Sequence, residues 1–256
     1  MEFTGYDDGV PCWVDVACED VAKSADFYGA LFGWEALEGP PEFGGYRNAL
    51  LQGKTVAGLG PKMDPNMPTV WSCYVKSSDA AATASKVEAA GGTVLVPPME
   101  IPGAGTMAMF LDTTGAAFGV WQPAEHTGAQ LANETGTFCW SELLTSDMAA
   151  SKTFYNAVFG WGEHSSEGEM PYTEWEVDGR TIGGGMPKPP MMPAEVPDYW
   201  NVYFAVDDVD ATLAKAKDLG ATVMLEPMDS PAGRLATLME PNGAAFSIIK
   251  LEPQHD

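Results

Sequence analysis

The sequence predicts an α+β protein built from two tandem copies of one unit, each copy holding two β-α-β-β-β modules. Three observations predict it. One segment of the first half recurs in the second at an offset close to half the chain, and another segment recurs further along at nearly the same offset. Within each copy, short runs with the period of a strand alternate with single stretches of helical period.

The first repeat sets GVPCWVDVACEDVAKSADFYGALFGW, from Gly9 to Trp34, against GTFCWSELLTSDMAASKTFYNAVFGW, from Gly136 to Trp161, with 12 of 26 positions identical at an offset of 127. The second sets Trp71–Met99 against Trp200–Met228, with 11 of 29 identical at an offset of 129. Gly115–Phe118 and Gly243–Phe246 then align at 128, half of the 256 residues. Two domains follow, 1–127 and 128–256, joined near Gln122–Thr135.

Each element of the unit has a local reason. CWVDVAC alternates as a half-buried strand, and Asp20 is placed to cap a helix whose apolar face is Val21, Ala25, Phe27, Tyr28 and Leu31 and whose stop is Gly33. Short strands follow around Gly33–Leu37, Tyr46–Leu51 and Thr55–Leu59, separated by the Pro/Gly-rich turns EGPPEFGG and LQGK. The order then restarts with VWSCYVK as a strand, Asp79 as a cap and Ala80–Ala90 as a helix closed by Gly91-Gly92. Strands at Thr93–Val96, Thr106–Leu111 and Ala117–Trp121 complete the second module. Gly183-Gly184-Gly185 and Gly103-Ala104-Gly105 lack the strand-to-helix context of a dinucleotide loop and read as turns. The Met-Pro tracts Pro61–Pro68 and Met186–Pro197 read as linkers between modules, with a lid over a ligand as the alternative.

Composition excludes several function classes. No run approaches the roughly 18 apolar residues of a membrane helix, so a soluble protein is expected. Thirteen basic residues against 36 acidic ones give a net charge of −23, which repels phosphate backbones and anionic lipid. Neither nucleic acid nor membrane is therefore expected as a partner. The acidic opening MEFTGYDDGV has no basic and apolar leader pattern, and a cytoplasmic location is expected. Cys12, Cys18, Cys73 and Cys139 form no CxxC pair and read as reduced core residues.

Taken together, a strand, a capping Asp, Phe-Tyr and Phe-Gly-Trp, followed by a strand, Asp-Asp-Val-Asp-Ala and Pro-Asn-Gly-Ala, resemble the vicinal oxygen chelate superfamily. This family includes glyoxalase I, extradiol dioxygenases and bleomycin-resistance proteins. The resemblance covers essentially the whole chain. It implies paired modules whose mixed sheets curl into an open cup that holds a ligand, and a divalent metal bound by residues of the first and last strands. The first-strand ligand of that family stands seven residues before the capping Asp, which falls on Trp13, Ser72, Trp140 and Asn201 here. The last-strand carboxylate falls on Gly119 and Ser247. None of these is a strong donor to a transition metal, and His126, His164 and His255 are scattered through the linker, a loop and the tail, where they read as solvated. No cofactor is predicted, and a metal has only family analogy behind it.

Positions two apart share a strand face, so the residues in phase with the lost ligands point into the cup. They are Trp13, Asp15 and Ala17, then Ser72, Tyr74 and Lys76, with Trp121 from the last strand of the first half. The second half offers Trp140, Glu142 and Leu144, then Asn201, Tyr203 and Ala205, with Ser247 and Ile249. Lys76 reads as a solvated rim residue. Trp13, Ser72, Tyr74, Trp121, Trp140, Asn201, Tyr203 and Ser247 are the candidate ligand contacts; Asp15 and Glu142 are the candidate acid–base groups, because an inward carboxylate needs water, a base or a ligand beside it. The reading is a metal-free cup for a small hydrophobic or aromatic molecule, in a monomer or homodimer. Two alternatives stay open: an enzyme acting as a glyoxalase-type lyase, a dioxygenase or hydroxylase, or a cofactor-independent isomerase or cyclase on a polyketide-like substrate; or cups plugged by their own aromatic side chains. Pairing of modules within or between halves is also open.

Overall fold

Four helices begin at four aspartates, each accepting a hydrogen bond from a backbone N–H three residues on: Asp20 from Lys23, Asp79 from Ala82, Asp147 from Ala150 and Asp208 from Ala211. These caps satisfy one of the free donors of the first turn. Gly33 and Gly160 end the first and third helices in the left-handed conformation, which glycine adopts without a Cβ penalty.

The computed structural model of the chain describes residues 1–39, 43–166, 168, 171–190, 192–193 and 195–251. Its first half runs β1 (Pro11–Cys18), α1 (Val21–Phe32), β2 (Glu35–Glu38), β3 (Arg47–Leu51), β4 (Lys54–Pro61), β5 (Val70–Lys76), α2 (Ala80–Ala89), β6 (Thr93–Ile101), β7 (Gly105–Leu111) and β8 (Ala117–Pro123). The second half repeats this as β9 (Phe138–Thr145), α3 (Met148–Phe159), β10 (Gly162–Ser166), β11 (Tyr172–Val177), β12 (Arg180–Pro187), β13 (Tyr199–Ala205), α4 (Val209–Asp218), β14 (Thr222–Ser230), β15 (Gly233–Met239) and β16 (Ala245–Leu251). Each half forms one open eight-stranded mixed sheet, in the orders β2-β3-β4-β1-β5-β8-β7-β6 and β10-β11-β12-β9-β13-β16-β15-β14. The two modules of a half therefore join through antiparallel β1–β5 and β9–β13, and pairing is within halves.

Alternation on β1 separates two environments. Val14, Val16 and Cys18 belong to a core with α1 and with β13, α4 and β16 of the other half, while Trp13, Asp15 and Ala17 face the opposite side. A second core joins α2, β7 and β8 to α3, Trp161, Trp175 and Trp200. The helix-bearing faces of both sheets thus share their cores, and the helix-free faces are the two cups.

The most repeated motif is explained by this shared core. Trp34 Nε1 donates to the Gly136 carbonyl at 2.7 Å, and Trp161 Nε1 donates to the Gly9 carbonyl at 2.8 Å. Each Phe-Gly-Trp therefore clasps the glycine that opens the other copy. Gly9 and Gly136 both have positive φ. The buried pairs Trp71–Tyr28 and Trp200–Tyr155, each 2.8 Å, repeat the same symmetry.

Several expectations are corrected. Gly183–Gly185 is not a turn: it lies inside β12, where the glycines let aromatic side chains approach the strand. Of Gly103-Ala104-Gly105, Gly105 opens β7 and only the preceding residues turn. β6 does not stop at Val96 but runs through Pro97-Pro98, with register slips there; β6 is an edge strand, where proline removes no ladder bond. His164 sits exposed on β10 rather than in a loop. His255 and the turn residues Pro40–Glu42 lie outside the described residues, as do Met191 and Ala194 of the second Met-Pro tract. That tract is otherwise tied down, with Lys188 Nζ 2.7 Å from the Asp198 carboxylate.

Candidate functional site

The first cup is built around Asp15. Its Oδ2 accepts from Tyr46 and from Tyr74, each at 3.2 Å, and Tyr46 in turn accepts from Trp13 Nε1 at 3.1 Å. The second cup holds the equivalent residues around Glu142: Tyr203 donates to Oε2 at 2.8 Å, and Trp140 Nε1 donates to the Tyr172 hydroxyl at 3.0 Å. Each cup therefore holds one carboxylate, two phenols and one indole, with a phenol on the carboxylate and the indole on a phenol in both. Removal from water pushes the Asp15 carboxyl up to about 7, with the two phenols pulling it back down. Glu142 is raised for the same reason, since burial penalises the charged form.

Local sequence makes room for these phenols. Tyr46 precedes β3 and lies over Gly58 and Gly60 of β4; a Cβ at Gly60 would stand 2.7 Å from the ring. Tyr172 at the start of β11 lies over Gly184 in the same way. Tyr74 lies against Gly119, its register partner on β8. These contacts are closer than any real side chain permits, so glycine is required on the three strands.

Each predicted residue is accounted for. Trp13, Tyr74 and Trp121 are buried together in the first cup, and Ser72 is the register partner of Asp15. In the second, Asn201 is the register partner of Glu142 and donates through Nδ2 to Ser247 Oγ at 2.8 Å, which is also 2.8 Å from Thr237 Oγ1. Trp140 is half-buried while Glu142, Asn201, Tyr203 and Ser247 are buried. Lys76 stays on the rim, paired with Asp8 at 2.7 Å. The four cysteines are free and buried, and burial pushes the Cys73 thiol up to about 12.

His126 overturns its reading as a solvated linker residue. Its ring meets Trp13 edge-on at 4.3 Å between centroids and Trp121 at 5.3 Å, and its backbone carbonyl accepts from Trp121 Nε1 at 2.7 Å. The segment is held there because the N–H groups of Ala124 and His126 both donate to the Ala104 carbonyl. Desolvation drives the His126 imidazole down to about 4, and its Nε2 is buried without a partner. Tyr46, Tyr172, Thr237 and His126 are thus the cup residues that strand phase alone missed. Tyr46 and Tyr172 did carry a signal: they stand at an offset of 126, the one just ahead of and the other at the start of a strand that pairs with a glycine-rich one.

The family's metal does not fit these residues. At the ligand positions Trp13 and Trp140 offer indole N–H groups already donated to phenols, Gly119 has no side chain and no space for one, and Asn201 and Ser247 bond to each other. Among the described residues no group of three or more His, Cys, Asp or Glu is placed to hold a metal ion.

The profile of the Glyoxalase/Bleomycin resistance protein/Dioxygenase superfamily matches residues 12–120 and 137–248, and the chain belongs to that superfamily. It is 43% identical over 258 residues to the glyoxylase-named CFP32 of Mycobacterium tuberculosis (strain CDC 1551 / Oshkosh), covering 97% of each chain. It is 38% identical over 265 residues to the anthracycline biosynthesis protein DnrV of Streptomyces peucetius, covering 97% of this chain and 95% of the other. Among solved structures it shares its fold with the Mn(II)-bound glyoxalase of Novosphingobium aromaticivorans, at TM-score 0.66 and 20% identity over 96% of this chain and 83% of that one. It also shares it with the 2,2',3-trihydroxybiphenyl 1,2-dioxygenase of Sphingomonas wittichii strain RW1, at 0.64 and 16% over 95% and 91%. No helix among the described residues is long and apolar enough to cross a membrane.

Proposed function

We propose that this chain binds a small planar aromatic molecule in a cup that works without metal, with the carboxylate–phenol centre as its polar anchor. The observation that carries the reading is the duplicated residue set: Asp15 with Tyr46, Tyr74 and Trp13, and Glu142 with Tyr203 beside the Trp140–Tyr172 pair, occupy the places where the family's metal chemistry would sit. Indole and phenol faces supply flat apolar walls, and a carboxyl held near neutrality by burial can donate or accept a hydrogen bond to a ligand oxygen. The Streptomyces relatives, named for anthracycline biosynthesis, favour a polycyclic, polyketide-like compound within that class.

The titration of Asp15 near neutral pH favours one second reading. A carboxyl poised between its two protonation states, with fixed phenols beside it, is equipped for general acid–base work on an acidic C–H or a hydroxyl, as a metal-free isomerase, cyclase or lyase requires. A thermal-shift screen of planar aromatics with and without chelator tests the binding reading. A ligand that raises the melting temperature equally in both conditions supports it; stabilisation that disappears with chelator contradicts it. Turnover by Asp15→Asn and Glu142→Gln at the wild-type rate would sink the catalytic reading.

A further inference from the structure

In the second cup the buried amide of Asn201 has one half of its hydrogen bonding complete and the other half empty. Nδ2 donates to Ser247 Oγ at 2.8 Å. Tyr203 beside it commits its own proton to Glu142 at 2.8 Å, so it offers Asn201 no donor. Oδ1 is buried without a partner. The whole residue is only 4% exposed. A buried acceptor with nothing to accept from is costly unless a ligand supplies the donor.

The first cup has no amide at the corresponding position, and its own unpartnered polar atom, His126 Nε2, belongs to the linker. Ser72 stands where Asn201 stands, Gly119 where Ser247 does and Met109 where Thr237 does. The polar set Asn201, Ser247 and Thr237 is thus particular to the second cup, on top of the residue set both cups share. Thr237 and the Trp140–Tyr172 pair retain solvent contact, and approach past the indole brings a ligand beside Glu142.

We infer that the second cup selects ligands carrying a hydrogen-bond donor, a phenolic hydroxyl or ring N–H, placed to bond Asn201 Oδ1 while the neighbouring ring lies against Trp140. Asn201 is then the specificity-determining residue of the molecule. The inference rests on the reading of the cups as aromatic sites and adds to it the chemical group that is recognised. A site built to bond a hydroxyl rejects the analogue lacking it, because its own polar atom is left unpaired.

The test titrates the full chain, by quenching of tryptophan fluorescence, with a dihydroxyanthraquinone whose hydroxyls stand away from the quinone carbonyls and with its dimethoxy ether. Wild type is expected to bind the hydroxyl compound about tenfold more tightly than the ether. Asn201→Ser, which copies the residue the first cup carries at this position, brings the ratio to about one, by weakening the hydroxyl compound and leaving the ether within about twofold. Asn201→Leu, of similar volume, serves as the second variant, and thermal melts confirm that both are folded. A preference for the hydroxyl compound that persists in both variants overturns the inference while leaving the cup as an aromatic site. Failure of both probes to bind wild type contradicts the aromatic site itself and the inference with it.

Discussion

The two cups keep one feature in common and differ in nearly everything around it. Both hold a carboxylate that accepts from a tyrosine hydroxyl, beside a second phenol that accepts from an indole. Around that centre the first cup has Gly119 and Met109 and is covered by its own linker, with His126 wedged against Trp13 and Trp121. The second has Ser247, Thr237 and Asn201 with a free acceptor. After duplication the carboxylate–phenol centre is the constant and its surroundings the variable. Such a division is expected when the centre does the chemistry or anchors the ligand and the surroundings decide which ligand.

The sharpest way to break the comparison is to exchange the residue pair that differs most sterically. Gly119→Ser gives the first cup the side chain of the second, but Tyr74 already occupies that space. Urea denaturation should show a loss of about 3 kcal/mol from overpacking, against about 1 kcal/mol for Ser247→Gly, which only removes hydrogen bonds. Equal costs would mean that the two cups pack alike. Of similar size is the clasp between halves: Trp161→Phe deletes the bond to Gly9 and leaves a buried carbonyl unpaired, with an expected loss of about 2 kcal/mol in the same experiment.

Next in magnitude is the pH dependence of the anchors. Asp15 titrates near 7 in the folded chain against an ordinary 3.8, so its favourable contribution is complete below about pH 4 and is lost as pH rises to 7. Asp15→Asn should therefore match wild type at pH 4 and melt about 2–6 °C higher at pH 8, and a variant that melts lower at pH 8 would show that the ionised carboxylate is satisfied. His126 runs the opposite way. Its imidazole, near 4 rather than 6.5, contributes stability that is present above pH 6.5 and lost as pH falls through 4. Tryptophan emission should report the linker leaving Trp13 in that window, with a melting shift of about 1–3 °C, and His126→Gln should abolish the change.

Strand phase was enough to put several candidate residues on the cup face. Trp13, Asp15, Tyr74, Trp140, Glu142, Asn201 and Tyr203 lie on central strands where an alternating pattern leaves each side chain one of two faces, and a buried core on one face assigns the other to the cup. Tyr46 and Tyr172 could not be placed this way. They sit just ahead of or at the start of their strands, after Pro/Gly loops, and their position depends on glycines of another strand, which leave no mark in the tyrosines' own neighbourhood. His126 was hidden for a further reason. Its linker is irregular, so only the fold reveals that Ala104 and Trp121 hold the segment inside the first cup. The glycine triplet of β12 misled because glycine serves close approach as readily as it serves a turn.

The proposed property that sets this chain apart is a cup that takes an aromatic ligand without metal. The direct measurement is calorimetric titration of a planar dihydroxyanthraquinone into chelator-treated protein whose metal content has been determined, repeated on Glu142→Gln. Saturable binding by the metal-depleted chain, weakened by about tenfold or more in the variant, is the predicted result. Binding that appears only when a divalent metal is restored, or that is indifferent to Glu142, would contradict it.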